Sequence, residues 1–431
     1  MIANCLGINE AGHLEISGCD TVRLAEQYGT PLYVMSEDEL RSVCRRYVAS
    51  FAKNYNGNGK PNYASKAFSC KEIYRIVLSE GLDVEVVSGG ELYTALQAGV
   101  PGSQIHFQGN NKSAGELTMA VENGVGDIVV DNLYELERLN AIAGEHSMVA
   151  PISFRIKPGI DAHTHEFIRT GQVDSKFGLD LASGEAMAAL RRAKAMEHVA
   201  VKGLHCHIGS QILEKAPFVH AAEVMLQFYA KVRDELGMAF EHLNLGGGFG
   251  IHYTAQDDAI PYEEYMEDVS AMVHSTCEKL GLELPRIYIE PGRSIVGEAG
   301  ITLYTVGSIK EIPGVRTYVA IDGGMFDNPR YALYQSAYTC CIANKASQPA
   351  DFTATIAGKC CESGDLIQEH TLIQKPEEGD ILAVLSTGPD NYSMASNYNR
   401  NLKPACVMVS KGESRIVIKG ETYEDLIRND V

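Results

Sequence analysis

Short apolar or alternating runs recur along the first two thirds of the chain, and a stretch with apolar positions at helical spacing follows each of them. The runs are Pro61–Ala67, Val84–Val87, Ile105–Gln108, Asp127–Val130, Pro151–Ile156, Val201–His207, His242–Leu245 and Arg286–Ile289. Strands alternating with helices in this way predict an α/β protein built on a parallel (β/α)8 barrel of the TIM type rather than an open sheet. Ahead of them, Gly7, Gly12 and Gly18 break the start of the chain into short strands. Thr21–Gly29 reads as a helix with Thr21 as its N-cap, and Pro31–Met35 as a strand. Ser36, followed three residues later by Glu39, has the capping-box form and starts a long amphipathic helix. Beyond Arg293 the period changes to two. Thr317–Ile321, Thr353–Ala357 and Ile381–Leu385 alternate between Gly, Pro and Asn turns, which predicts a β domain.

A chain of 431 residues exceeds one ordinary core and suits a large barrel with a second domain. Its net charge of −19 argues against nucleic acid and anionic membrane as partners, and a solvated acidic surface accounts for it. No apolar run approaches the roughly 20 residues needed to cross a bilayer. Met1–Glu10 lacks a basic stretch followed by an apolar one, so no secretory signal is expected. The 11 cysteines show no CxxC or Cys/His ligand spacing, which fits reduced thiols in a cytoplasm and no metal site.

The barrel prediction gains chemical meaning from where the reactive residue types fall. Lys66, Ser88, Asn110, Asp131, Lys157, His207, Gly246-Gly247-Gly248 and Glu290 lie at or just past the carboxyl ends of successive runs. In a (β/α)8 barrel those ends meet on one face, where active sites are built. Lys66 closes the run Lys60–Phe68 and precedes a helical pattern over Cys70–Gly81. A lysine there, held out of bulk water by its neighbours, offers an amine for Schiff-base chemistry, although most such lysines are surface residues. Leu245–Gly250 places side-chain-free backbone after the seventh run, where it reads either as a tight turn or as a phosphate cradle. His205 and His207 share a strand face, with Ser210 on the turn beyond; a metal pair is the lesser reading, because no third ligand is near in sequence. Glu290-Pro291-Gly292-Arg293 reads either as a surface turn or as an acid and a cation held a few ångströms apart. Lysine, glycine cradle, aromatic face and acid together describe a pyridoxal phosphate site.

Nine motifs in order carry a resemblance to a known family. They are Tyr63-Ala64-Ser65-Lys66-Ala67, Val87–Leu92, Gly109–Lys112, Thr164-His165 through Thr170-Gly171 to Asp174–Gly178, His207–Gln211, Gly246–Gly250, Glu290–Arg293, Cys361–Asp365 and Met394–Asn399. This series resembles the diaminopimelate decarboxylase family, within the alanine-racemase-like, fold-type III group of pyridoxal phosphate enzymes, and spans about Pro31 to Asn399. The resemblance implies a cofactor barrel over residues 34–295 and a β-rich domain formed by residues 1–33 and 296–431. It also implies conversion of meso-2,6-diaminopimelate to L-lysine and carbon dioxide. By the same resemblance Lys66 would hold pyridoxal 5′-phosphate, Glu290 would pair with its ring nitrogen and His207 would stack on its face. Ser210, Gly248, Gly292 and Arg293 would take the phosphate and its surroundings. Arg293, Arg330 and Tyr334 would bind the substrate's distal carboxylate, Glu362 its distal ammonium, and Cys361 would return a proton to carbon. A homodimer with shared sites is implied as well, Cys361 and Glu362 reaching the other subunit's barrel.

Three positions depart from that pattern. Gln108 stands where relatives carry histidine, and Glu85 where they carry aspartate. Relatives read Thr-Gly-Ala-Tyr where this chain reads Thr387-Gly388-Pro389-Asp390, and that tyrosine approaches the cofactor phosphate. A carboxylate there is repulsive toward a phosphate, unless Tyr392, on the same side of an extended loop, takes over. The departures sustain a further reading, a non-catalytic family member acting as a binding or regulatory protein; among enzymes the alternative is a decarboxylase of another basic amino acid such as ornithine, lysine or arginine.

Overall fold

The computed structural model describes residues 2–160 and 175–431. Two compact units appear: Val43–Gly250 with Ala259–Arg293, and Met1–Ser42 with Ile251–Asp258 and Ser294–Val431.

The first unit is the barrel. Its strands are β1 (Gly59–Ala64), β2 (Asp83–Val86), β3 (Ile105–Phe107), β4 (Asp127–Val130), β5 (Ala150–Lys157), β6 (Val199–Cys206), β7 (His242–Asn244) and β8 (Arg286–Ile289). Each pairs in parallel with the next, and β8 pairs with β1, so the sheet closes. All the expected strands are present, with ends moved by at most three residues. A short strand, Leu179–Asp180, adds to the flank of β5.

Parallel strands buried on both faces ordinarily read as continuous apolar runs. Here they alternate, because the barrel interior is polar. Val84, Val86, Ile105, Phe107, Leu243, Ile287 and Ile289 are buried on one side of their strands. The intervening positions carry Asp83 and Glu85 on β2, His106 on β3 with Gln108 just beyond, Ser153 and Arg155 on β5, His205 on β6, and His242 and Asn244 on β7. All of them are buried too. Period two places each such set on one face of its strand.

The second unit contains a small antiparallel sheet, Leu6–Ile8, Leu14–Ile16 and Cys19–Asp20, and a larger sheet. In the larger one Leu32–Ser36 runs antiparallel to Gly300–Ile312 and parallel to Ala405–Ser410, so an N-terminal strand completes a C-terminal sheet. Strand Ile381–Leu385 puts Leu382 and Val384 into one core and Ala383 and Leu385 into another, hence its unbroken apolar run.

Helix Thr21–Tyr28 is capped by Asp20 rather than Thr21: the Asp20 carboxylate accepts from the Val22 N–H, while Thr21 Oγ1 donates to the Leu14 carbonyl. An acidic cap serves as well as a hydroxyl, so sequence alone did not separate the neighbours. Ser36 Oγ accepts from the Glu39 N–H at the start of helix Glu37–Tyr55, as its spacing predicts; the Ser36 N–H itself donates to the Ala299 carbonyl. Cys70, ahead of helix Lys71–Ser79, occupies the N-cap without a side-chain capping bond. No helix among the described residues is long and apolar enough to cross a membrane.

Candidate active site

At the carboxyl end of β8, Glu290 is buried and fully engaged. Its Oε1 accepts from Asn244 Nδ2 at 2.8 Å; its Oε2 accepts from Gln108 Nε2 at 3.2 Å and lies 3.1 Å from His205 Nε2. Burial alone would raise its pKa, but His205, His207 and Asn244 outweigh burial and hold the carboxyl well below the usual range. Glu85 follows the opposite course. Burial and then the adjacent Glu290 charge raise it well above normal, and neither of its oxygens meets a hydrogen bond. Of the two neighbouring buried acids, Glu290 keeps the charge and Glu85 the proton. Gln108 joins this group to Arg155, accepting from Arg155 Nη1 at 3.0 Å while donating to Glu290. A neutral imidazole could also accept with one nitrogen and donate with the other, so the Gln108 departure preserves the relay.

The Glu290-Pro291-Gly292-Arg293 turn lies directly against the Lys66 turn. The Ala64 N–H donates to the Pro291 carbonyl at 3.1 Å, and a Cβ on Gly292 would sit 3.0 Å from Ala64 Cβ and 3.1 Å from Ala67 Cβ. Lys66 stands on a single 3-10 turn, Ser65–Ala67, and is exposed. Its neighbours therefore do not hold it out of water as expected. Ser65 and Ala67 on either side are buried, and the Lys66 charge acts on His207, Glu85 and Glu91.

His207 Nδ1 accepts from the Gly247 N–H at 3.2 Å, and burial, followed by the Arg155 and Lys66 charges, keeps its imidazole well below its usual pKa. His205 and His207 thus have separate partners, and no group of His, Cys, Asp or Glu among the described residues could hold a metal ion. The glycine run is packed rather than merely turned. A Cβ on Gly247 would meet the Glu290 carbonyl at 2.0 Å, and one on Gly248, at φ 119°, the Gly209 carbonyl at 2.4 Å. Only glycine can occupy such positions. Arg293 donates to Ser210 Oγ from Nε at 3.2 Å and from Nη2 at 3.1 Å, joining the last two expected members. The barrel unit therefore unites Lys66, His207, Ser210, Gly248, Glu290, Gly292 and Arg293. The motif stretch from Thr164 to Asp174 lies outside the described residues.

The other expected residues belong to the second unit. Arg330 opens helix Arg330–Tyr334 and is buried; Tyr334, at its last position, is half-buried. Cys361 and Glu362 are exposed on a loop staked by Asp365, whose carboxylate accepts from the Cys360 N–H at 2.7 Å and the Met325 N–H at 2.6 Å. The Cys361 N–H donates to Asn399 Oδ1 at 2.7 Å, tying this loop to the Met394–Asn399 motif. Asp390 lies 3.4 Å from Arg330 Nε, so its charge is compensated within its own unit. Tyr392 does not share its side, because Asn391–Met394 is a helical turn rather than an extended loop; the Tyr392 ring meets Tyr33 edge-on at 6.0 Å.

His205, Asn244 and Arg155 have no assigned role in the sequence reading. A signal existed: each occupies an inward position of an alternating run, level with a residue type that needs a partner.

Residues 37–297 match the family described as pyridoxal-dependent decarboxylase, pyridoxal binding domain. The chain is 49% identical over 423 residues to the diaminopimelate decarboxylase of Bacillus subtilis, covering 98% of this chain and 96% of that one. It is 50% identical over 412 residues to that of Bacillus methanolicus, covering 96% and 95%. A crystal structure of diaminopimelate decarboxylase from M. jannaschii in complex with L-lysine superposes with a TM-score of 0.92 at 37% identity, over 100% of this chain and 98% of the other.

Proposed function

The chain belongs to the diaminopimelate decarboxylases, a family of pyridoxal-dependent decarboxylases, and from that premise we propose how its residues divide the work. The reaction is decarboxylation of meso-2,6-diaminopimelate to L-lysine and carbon dioxide, with pyridoxal 5′-phosphate as cofactor. The readings as another basic amino acid decarboxylase or a non-catalytic relative are set aside.

The single observation that carries the assignment of roles is the ionised, buried Glu290 beside the turn of Lys66. Two features fit the cofactor: a glycine cradle with no room for a Cβ, and the unsatisfied Glu85 oxygens and His205 Nδ1 around a carboxylate. When bound, pyridoxal phosphate supplies the electron sink for the pair left when carbon dioxide departs. Lys66 Nζ would bind the cofactor covalently and yield that place to the substrate's α-amine. Glu290 would hold a proton on the ring nitrogen, its negative charge secured by His205 and Asn244. His207 would orient the ring face. The amide of Gly248, with Ser210 Oγ, Gly292 and Arg293, would take the phosphate and its surroundings.

Arg293, Arg330 and Tyr334 would bind the distal carboxylate and Glu362 the distal ammonium, while Cys361 Sγ would deliver the proton that replaces the lost carboxylate. We place the enzyme in the cytoplasm as a homodimer with shared sites, residues 34–295 forming the cofactor domain and residues 1–33 and 296–431 serving the dimer. The test adds pyridoxal phosphate and meso-diaminopimelate to purified protein and measures lysine and carbon dioxide. Borohydride should fix the cofactor to Lys66, and a label elsewhere would overturn that assignment. Mixing inactive Lys66→Ala and Cys361→Ala proteins should restore roughly a quarter of wild-type activity if sites are shared across a two-fold dimer; no recovery after subunit exchange would remove shared sites.

A further inference from the structure

Arg330 is only 5% exposed; both Nη atoms of its guanidinium donate hydrogen bonds, while Nε makes none and has only the Asp390 carboxylate before it. The group lies 4.5 Å over the Tyr253 ring, Nη1 donates to the Tyr338 hydroxyl at 3.2 Å, Nη2 donates to Ser336 Oγ at 3.3 Å, and Nε faces Asp390 Oδ2 at 3.4 Å. Tyrosine, serine and aromatic face leave the positive charge intact, so Asp390 is the group that neutralises it.

The chain goes to some expense to put that carboxylate there. Asp390 has φ 70° and ψ −40°, a conformation disfavoured for any residue with a Cβ. The turn is braced around it. Asn391, fully buried, directs Nδ2 toward the Tyr338 hydroxyl at 3.3 Å and the Thr387 carbonyl at 3.4 Å; the Met394 N–H closes on the Asp390 carbonyl at 2.8 Å. Tyr338 therefore touches both Arg330 and the turn that carries Asp390.

We infer that Asp390 is an internal carboxylate that occupies Arg330 where the substrate's distal carboxylate would bind, and that it thereby sets this enzyme's affinity for its amino-acid ligands. The inference rests on the reading that Arg330 receives that carboxylate. A ligand must displace Asp390 from the arginine or share the arginine with it, so the apparent dissociation constant is raised in inverse proportion to the fraction of enzyme in which Arg330 is free of Asp390. The effect is confined to ligands that carry the distal carboxylate.

Isothermal titration of the holoenzyme separates the possibilities. The probes are L-lysine, which keeps the distal carboxylate, and 1,5-diaminopentane, which lacks it. Asp390→Asn, which keeps shape and removes charge, is expected to tighten lysine binding by about tenfold and leave diaminopentane unchanged. Asp390→Tyr is the second variant, with the same expected selectivity for lysine. If Arg330→Gln abolishes lysine binding while neither Asp390 variant tightens it, Asp390 merely positions the arginine and the inference is overturned. Lysine binding unaffected by Arg330→Gln would instead overturn the assignment of Arg330 itself. Equal gains for both ligands would mean that Asp390 acts by general charge and not through the arginine.

Discussion

Within the barrel, one set of inward positions carries Asp83, His106, Asp127, Ser153 and His242, and a second set, two residues further along several of the same strands, carries Glu85, Gln108, Arg155, His205 and Asn244, joined by Glu290. Both sets are buried and both pair imidazoles with carboxylates. In the first, Asp127 accepts from Ser153 Oγ at 2.9 and 2.8 Å, with His242 Nε2 at 3.3 Å, while Lys60 and Gln104 serve Asp83 at 2.6 and 2.9 Å. It leaves His106 Nδ1 without a hydrogen bond, yet that atom is 3.7 Å from the Asp127 carboxylate. The second leaves three atoms, both Glu85 oxygens and His205 Nδ1, without partners. A closed polar network stabilises one arrangement of the barrel; an open one beside a lysine turn and a glycine cradle is shaped for a group brought from outside.

The comparison is broken or sharpened by substitution. The largest effect is expected at Glu290, where Glu290→Gln should lower kcat by roughly 100-fold or more with little change in melting temperature, because the charge that would hold the ring-nitrogen proton is lost while the amide keeps contact with Asn244. A variant that unfolds instead would make this set structural too. Asp127→Asn should do the reverse. It leaves two imidazoles without their shared carboxylate and should cost about 3–5 kcal/mol of stability, while the folded fraction retains its turnover.

The pH dependence follows from the first set. Burial alone would lower the His106 pKa, but the Asp127 and Asp83 carboxylates, 3.7 and 3.9 Å from its ring nitrogens, raise it to about 9 from 6.5. A raised folded-state pKa contributes stability that is complete below about 6.5 and disappears as pH climbs through about 9, on the order of 3 kcal/mol over that window. Melting temperatures measured from pH 6 to 10 should fall across it, and His106→Gln should flatten the slope. The smallest effect concerns Gln108. Gln108→His should change kcat by less than about threefold, whereas Gln108→Leu, which leaves Arg155 and Glu290 without their bridge, should cost about tenfold. Equal losses in the two variants would show that the relay is not what matters.

Much of this architecture is legible in sequence. Asp127–Val130, Arg286–Ile289 and Ile381–Leu385 coincide with their expected strands, because period two and burial act on neighbouring residues. The reactive residues at strand ends follow from the same register. His205 and Asn244 were not legible as partners of Glu290, nor Arg155 as its neighbour through Gln108, since they come from three different strands and only barrel closure brings them together. Lys66 shows the same limit in another form. Its position after a strand is local, but its exposure depends on how a single 3-10 turn seats Ser65 and Ala67.

By itself, then, the sequence determined the order of elements, the polar lining of the barrel and the set of residues able to do the chemistry, all properties carried by short-range periodicity and residue type. Tertiary structure alone decided which of two buried acids keeps its charge and which residue answers Arg330. Both depend on distances between groups far apart in the chain: Glu85 and Glu290 across the barrel, Arg330 and Asp390 across the β unit. The strength of a buried charge interaction is set by the distance between the two groups, and spacing along the chain holds no record of such distances.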